Sequence, residues 1–282
     1  MSRSRGVEIG AFLLSAVYQT TTFSKIMFGA IVGDIAGSVY ERANFRFETC
    51  EIFAKGSQFT DDTVLTLATA DHFIFGDSYA HNYRQFGRNY PRAGYGGNFV
   101  KWMTSDKPEP YNSWGNGSAM RVSPVGWVAK DLDWVMREAK RSAEVTHNHP
   151  EGIKGAQAIA CSVFLAKKGE TKQAIKNFVA ERFGYNLERT VDEIRKTHIF
   201  DVSCNGTVPE AIIAFLESVD FEGCIRKAIS IGGDSDTIAC MAGSIGHAYY
   251  GEIPSWMSDY CFALLDPAQQ SIINDFWTKY SE

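Results

Sequence analysis

Two short stretches constrain this chain more than anything else in it. Phe59-Thr60-Asp61-Asp62-Thr63-Val64 and Gly232-Gly233-Asp234-Ser235-Asp236-Thr237 each place two carboxylates and flanking hydroxyls at the mouth of an apolar helix. The first opens a helix over 61–75, where Val64, Leu65, Leu67, Ala68, Phe73 and Ile74 are apolar; the second opens one over 238–250. Such a composition suits a hard divalent cation, which takes oxygen ligands and, when small, keeps water beside a few carboxylates. Four Asp in one pocket would repel by up to about 4 kcal/mol per pair at roughly 4 Å and an effective dielectric of about 20. Two dications would neutralise them, and metals about 3.5 to 4 Å apart activate water and hold a substrate's oxygens. Gly232 and Gly233 let the backbone turn sharply and approach a ligand. Either cluster alone reads equally well as helix capping with favourable dipole contacts. Together they point to one shared site, with Thr60, Asp61, Asp62, Asp234, Asp236 and Thr237 as candidate ligands.

The segment 26–41 reads as one helix closed by Glu41, with Gly29, Gly33 and Gly37 forming a smooth stripe every four residues. In a membrane that spacing would suggest helix dimerisation, but Asp34 lies within it and the run is short, so a tightly packed core helix is expected. Its partner is expected in 238–250, where Ala239, Ala242, Gly243 and Gly246 make a comparable face. Crossing the two would bring the carboxylates together. Further helices are expected over 151–167, 171–183, 207–219 and 222–230, the third opened by capping-box spacing from Thr207 to Glu210. No alternating strand pattern competes, so the fold class is all-α: a single multi-helix domain over 26–282, preceded by an extension over 1–25. The apolar run 9–18 of that extension imitates a signal peptide, but Glu8 at its edge and the lack of a small-x-small site weaken that reading.

Three loops could serve a ligand. Arg92-Ala93-Gly94-Tyr95-Gly96-Gly97-Asn98 is too rich in glycine for regular structure; such loops bring N–H groups against phosphates, although most are only turns. In 112–121, Trp114 offers a flat partner for a base such as adenine or, alternatively, anchors a loop in the core. Beside it, Gly115 to Ser118 could meet pyrophosphate or ribose through backbone amides. His147 and His149 precede Pro150 at a helix start; without a third nitrogen or sulfur ligand they do not make a zinc site, and His149 reads as structural.

Composition narrows the setting. A net charge of −5 argues against a nucleic-acid backbone as partner. The six cysteines show no metal-ligand spacing and need no disulfides in a 282-residue chain, so a reducing cytoplasm is expected. A run of ten apolar residues cannot span a bilayer.

Taken with Gly29 to Glu41, Gly115-Asn116-Gly117-Ser118-Ala119-Met120-Arg121 and Thr146-His147, the two Asp clusters resemble the ADP-ribosylglycohydrolase family, to which dinitrogenase-reductase-activating glycohydrolase is related. The matches run in order from about Ile26 to Tyr250. The resemblance implies an all-helical enzyme with two Mg²⁺ ions (Mn²⁺ possible) that hydrolyses the glycosidic bond joining ADP-ribose to an acceptor such as a protein arginine. It makes Glu41, with Asp61 and Asp236, catalytic, Glu41 helping to place water or the scissile bond. It assigns Gly94, Gly96, Gly97, Ser113, Trp114, Gly115, Asn116, Gly117, Ser118, Met120 and His147 to the substrate cleft. The implied partner is an ADP-ribosylated protein or a small ADP-ribosyl compound, acted on by a monomer, with nucleic acid only as a modified substrate. Two other readings stay open: a non-catalytic member of the fold, such as a crystallin-like structural protein, and a two-metal phosphoesterase.

Overall fold

The computed structural model describes residues 26–41, 43 and 45–281, so the extension over 1–25 lies outside the described residues. Fifteen helices follow one another among them. They begin with α1 Phe28–Gly37, α2 Asp61–Phe75, α3 Tyr79–Asn89, α4 Gly97–Thr104 and α5 Gly117–Met120. Next come α6 Ser123–Val128, α7 Leu132–Glu144, α8 Pro150–Lys167, α9 Lys172–Phe183 and α10 Val191–Thr197. The last are α11 Cys204–Glu217, α12 Phe221–Ile231, α13 Ser235–Tyr250, α14 Ser255–Leu264 and α15 Pro267–Tyr280. One isolated antiparallel bridge, Gly115 to Ser203, is the β pairing found among the described residues.

Helices α1 and α13 are the core pair. Every residue of α1 is buried, as is α13 from Ser235 to Ala248. A methyl group at Gly29, Gly33 or Gly37 would collide with the backbone of Gly243, Ala239 or Ser235 respectively, so the stripe is what lets the two backbones touch. The small residues of α13 serve two neighbours: Gly243 meets Gly29 on α1, whereas Gly246 faces Cys224 and Phe221 of α12. Helices α8, α11 and α12 enclose α13, and α2 lies between α1 and α15.

Several boundaries differ from expectation, each for a local reason. Helix α1 stops at Gly37, where Ser38 Oγ donates to the Ile35 carbonyl and accepts from Gln58 N–H; a turn over 38–41 then carries Glu41. Helix α11 begins at Cys204 because Ser203 caps it by accepting from Gly206 N–H, so Thr207 and Glu210 lie inside the helix and form no capping box. The capping boxes found are Thr190 with Glu193 and Asp266 with Gln269. Gly97 and Asn98, expected in a loop, start α4.

Candidate active site and metal centre

The first ends of α2 and α13 meet at the last turn of α1. Asp34 of α1, fully buried, accepts four hydrogen bonds: from Thr60 N (2.9 Å), Thr60 Oγ1 (2.7 Å), Thr63 N (3.0 Å) and Thr63 Oγ1 (2.5 Å). This clamp fixes the start of α2. Thr60 is the cap residue there, accepting from Asp62 N–H, which leaves the carboxylates of Asp61 and Asp62 unused by capping. On the other side Gly232 has φ 77° and ψ −169°, a conformation open essentially to glycine alone, and Gly233 has φ 73°. The resulting kink delivers Asp234, which makes no side-chain cap bond to α13. Simple capping therefore accounts for neither pair.

One hydrogen bond joins the two clusters, from Thr237 to Asp62, and two more hold the second cluster in place. Asn116 Nδ2 donates to Asp234 Oδ2 (2.6 Å), Thr237 Oγ1 donates to Asp62 Oδ1 (3.4 Å), and Thr237 N–H donates to Asp236 Oδ1 (3.0 Å). Carboxylate oxygens of Glu41, Asp234 and Asp236 lie within 4.8 Å of one another. Asp62 Oδ2 is buried and has no hydrogen-bond partner. An all-oxygen donor set with an orphaned carboxylate oxygen fits a hard cation.

Electrostatics agree with that fit. Burial, then the charge of Asp34, pushes the Asp61 carboxyl up to about 8. Burial likewise raises Asp62 and Asp236 well above the usual range, with Asp34 and Asp234 respectively as the next causes. Asp34 and Asp234 are also raised by burial, against hydrogen bonds that lower them. Neighbouring carboxylates raise Asp61, Asp62 and Asp236 further, so a bound cation would favour the ionised form of all three at once.

The carboxylates lie at the base of a cleft of about 1020 Å³. Glu41, Thr60, Asp61, Asp62, Asp234, Asp236 and Thr237 line it, as do Gly94, Gly96, Gly97, Ser113, Trp114, Gly115, Asn116, Gly117, Met120 and His147. Asp61 N–H donates to the Ala93 carbonyl (2.8 Å), which fastens the glycine loop over the start of α2. Trp114 is 63 % exposed, with its ring edge-on to His149, so it does not anchor a core loop. His149 is structural: its Nδ1 caps α8 by accepting from Glu151 N–H. Ser118 departs from expectation. The turn of α5 points it inward, fully buried, to donate to the Gly152 carbonyl (2.7 Å).

Sequence reading missed part of the wall. Asp201, Val202 and Ser203 line the cleft because their strand-like segment pairs with the tryptophan loop, through Asn116 N–H to Val202 O (2.8 Å) and Cys204 N–H to Trp114 O (3.0 Å). Ser38 and Tyr111 line it as well, beside the exposed Arg92 of the expected glycine loop. Among the described residues no helix is long and apolar enough to cross a membrane.

A family model described as ADP-ribosylglycohydrolase matches residues 19–280. The chain is similar to ADP-ribosylhydrolase ARH3 of Homo sapiens, 26% identical over 86% of this chain and 89% of that one. Against the Gallus gallus protein of the same name it is 28% identical over 83% and 87%. It is also similar to ADP-ribosylarginine hydrolase Tri1 of Pseudomonas putida (strain GB-1), 23% identical over 91% of this chain and 78% of that one. Among solved structures, one titled ADP-ribosylglycohydrolase-related protein complex superposes with a TM-score of 0.70 at 22% identity, covering 93% of this chain and 98% of that one, which places the two in one fold.

Proposed function

Since the chain belongs to the ADP-ribosylglycohydrolase family, we propose that it hydrolyses the glycosidic bond between ADP-ribose and a modified acceptor, with a protein arginine as the first substrate to try. The observation that carries this reading is the meeting of the two Asp clusters with Glu41 at the base of a cleft large enough for a dinucleotide-sized ligand. Relatives named ADP-ribosylhydrolase support the reaction, and one named ADP-ribosylarginine hydrolase supports the choice of acceptor.

Asp61, Asp62, Asp234 and Asp236, with Thr60 and Thr237, would hold two Mg²⁺ or Mn²⁺ ions, and Glu41 lies close enough to Asp234 and Asp236 to share one. When bound, such ions supply charge stabilisation and a polarised water. Hydrolysis at the anomeric carbon develops positive charge on the ribose, which nearby carboxylates stabilise. Glu41, part-exposed at the cleft, is suited to orient water or the scissile bond. Gly94, Gly96 and Gly97 on one wall and Gly117 on the other leave backbone open to a pyrophosphate, whereas the Gly115 and Asn116 N–H groups are already given to Ser113 Oγ and the Val202 carbonyl. Trp114, at the rim, is suited to stack on adenine.

All six described cysteines are free and buried, which supports a reducing, cytoplasmic setting. The chain is proposed to act as a monomer. The test is a panel of ADP-ribosylated arginine and serine peptides with Mg²⁺ or with EDTA. Free ADP-ribose released from the arginine peptide, and lost in EDTA, is expected. Release of AMP would move the chain to the phosphoesterases, and binding without turnover to a non-catalytic member of the fold.

A further inference from the structure

Arg121 follows α5, is fully buried and borders the cleft, and its guanidinium carbon sits 3.9 Å from the centre of the Tyr83 ring. That ring is held by hydroxyl contacts to Thr69 (3.0 Å) and Ser142 (2.7 Å). Arg121 Nη2 donates to the Ser142 carbonyl (3.2 Å) and to Thr146 Oγ1 (2.7 Å). Thr146 Oγ1 in turn lies 2.7 Å from His147 Nδ1. On the far side of the imidazole, a Cβ on Gly117 would come 3.1 Å from His147 Nε2, and one on Gly115 would come 3.6 Å from it. The glycines thus leave room for the ring edge that borders the cleft.

An arginine side chain has five donors and no acceptor. Thr146 must therefore accept from it, and its own hydroxyl hydrogen remains to be placed. Thr146 is fully buried; His147 Nδ1 at 2.7 Å and the neighbouring Tyr111 hydroxyl are the groups its hydrogen can meet, and Tyr111, a donor in its own right, can leave that hydrogen to Nδ1. Directed at Nδ1, it makes that nitrogen an acceptor. We propose that Arg121, acting through the Thr146 hydroxyl, fixes His147 as the tautomer that carries its proton on Nε2, so that the cleft is offered one oriented N–H donor for an oxygen of the ligand. A doubly protonated ring would instead aim Nδ1–H at a hydroxyl already facing the Arg121 donor. Burial and the nearby Arg121 charge also hold His147 well below the usual histidine range, which keeps the ring neutral. Arg121 is in this sense a positioning residue. The identity of the acceptor, a phosphate or ribose oxygen, rests on the ADP-ribose reading; the tautomer does not.

The test compares wild type, Thr146→Ser and Thr146→Val on the full chain. Long-range ¹H–¹⁵N correlation spectra at neutral pH report the tautomer, and calorimetric titration with ADP-ribose reports binding. Wild type and Thr146→Ser should both show protonated Nε2 and similar affinity. Thr146→Val, close to threonine in shape but without the hydroxyl, should show Nδ1–H or a mixture and bind about tenfold more weakly, the size of one lost hydrogen bond. A wild-type ring protonated on Nδ1, a valine variant that keeps Nε2–H, or a changed tautomer with unchanged affinity would each overturn the proposal. If none of the three proteins binds ADP-ribose, the substrate reading fails while the tautomer pattern still decides the relay.

Discussion

Asp34 and Asp62 are both buried carboxylates at the meeting of α1, α2 and α13, yet the fold treats them in opposite ways. Asp34 is saturated, accepting from two backbone N–H groups and two hydroxyls of Thr60 and Thr63. Asp62 has one long contact from Thr237, at 3.4 Å, and an oxygen with no partner. A buried polar group without a partner costs free energy unless something else supplies one. Asp34 is therefore a strut that holds the start of α2, whereas Asp62, with Asp61, Asp234 and Asp236 beside it, keeps an oxygen without a partner where the proposed cation would bind.

The largest expected effect is on turnover. Asp61→Ala or Asp236→Ala should bring ADP-ribose release down to background while far-UV circular dichroism stays that of the wild type. Either variant turning over at the wild-type rate would return that residue to the role of a helix-end acid.

Stability against pH separates the two kinds of carboxylate next. In EDTA the folded cluster binds protons that the unfolded chain has already released, because Asp61 is raised from an ordinary 3.8 to about 8 and Asp62 and Asp236 are raised well above 3.8. Stability must then fall as pH rises from near 4 towards 8, by about 1.4 kcal/mol per pH unit for each extra proton held. Saturating Mg²⁺ or Mn²⁺ should reverse the trend, adding about 2.7 kcal/mol at a hundredfold excess over Kd. Thermal melts across that range, with and without metal, check this; a flat metal-free profile would contradict the reading of an unneutralised cluster.

A smaller effect sets the strut against the ligand directly. Asp34→Ala leaves buried donors of Thr60 and Thr63 unmet, at about 1 to 3 kcal/mol for each, so a net loss of roughly 3 kcal/mol is expected after some relief of repulsion. Asp62→Asn removes a poorly compensated charge and should keep or raise the melting temperature in EDTA while losing the protection given by Mn²⁺. Equal losses in the two variants would erase the distinction.

What the sequence made legible follows the same division. Helix α2 falls at 61–75 as its apolar periodicity indicates, and the glycine stripe of α1 does meet α13, because both signals are local or depend on one residue type. The cleft wall over 201–203 was illegible: it is built by backbone pairing to Trp114 and Asn116, nearly ninety residues earlier, and backbone pairing leaves no side-chain signature. Ser118 looked like a cleft residue because it sits in a glycine turn, but the single turn of α5 rotates it to the Gly152 carbonyl. The end of α1 was missed for a similar reason, since Ser38 stops the helix through bonds to Ile35 and Gln58 that its sequence neighbours do not announce.

The tryptophans repeat the comparison in apolar terms. Trp102 and Trp127 are 4 % and 6 % exposed, as packed aromatics are, whereas Trp114 is 63 % exposed at the rim of the cleft and meets His149 only edge-on. A large aromatic surface left to water beside a polar turn is suited to a flat, apolar ligand face, and adenine is the one that ADP-ribose provides. Trp114→Ala should then weaken ADP-ribose binding by about 1 to 3 kcal/mol, roughly 5- to 150-fold. The loss should appear mainly as a higher KM, with kcat changed less, because the proposed contact is with the adenine and not with the scissile bond; a large fall in kcat would mean that binding energy at the adenine is used to orient the ribose. Stability should change little, since an exposed ring contributes little burial, and this separates Trp114→Ala from Trp102→Ala, where about 3 to 5 kcal/mol should be lost. Calorimetric titration of both variants, with melting temperatures alongside, decides the matter: unchanged affinity in a folded Trp114→Ala protein would leave the exposed ring without a ligand.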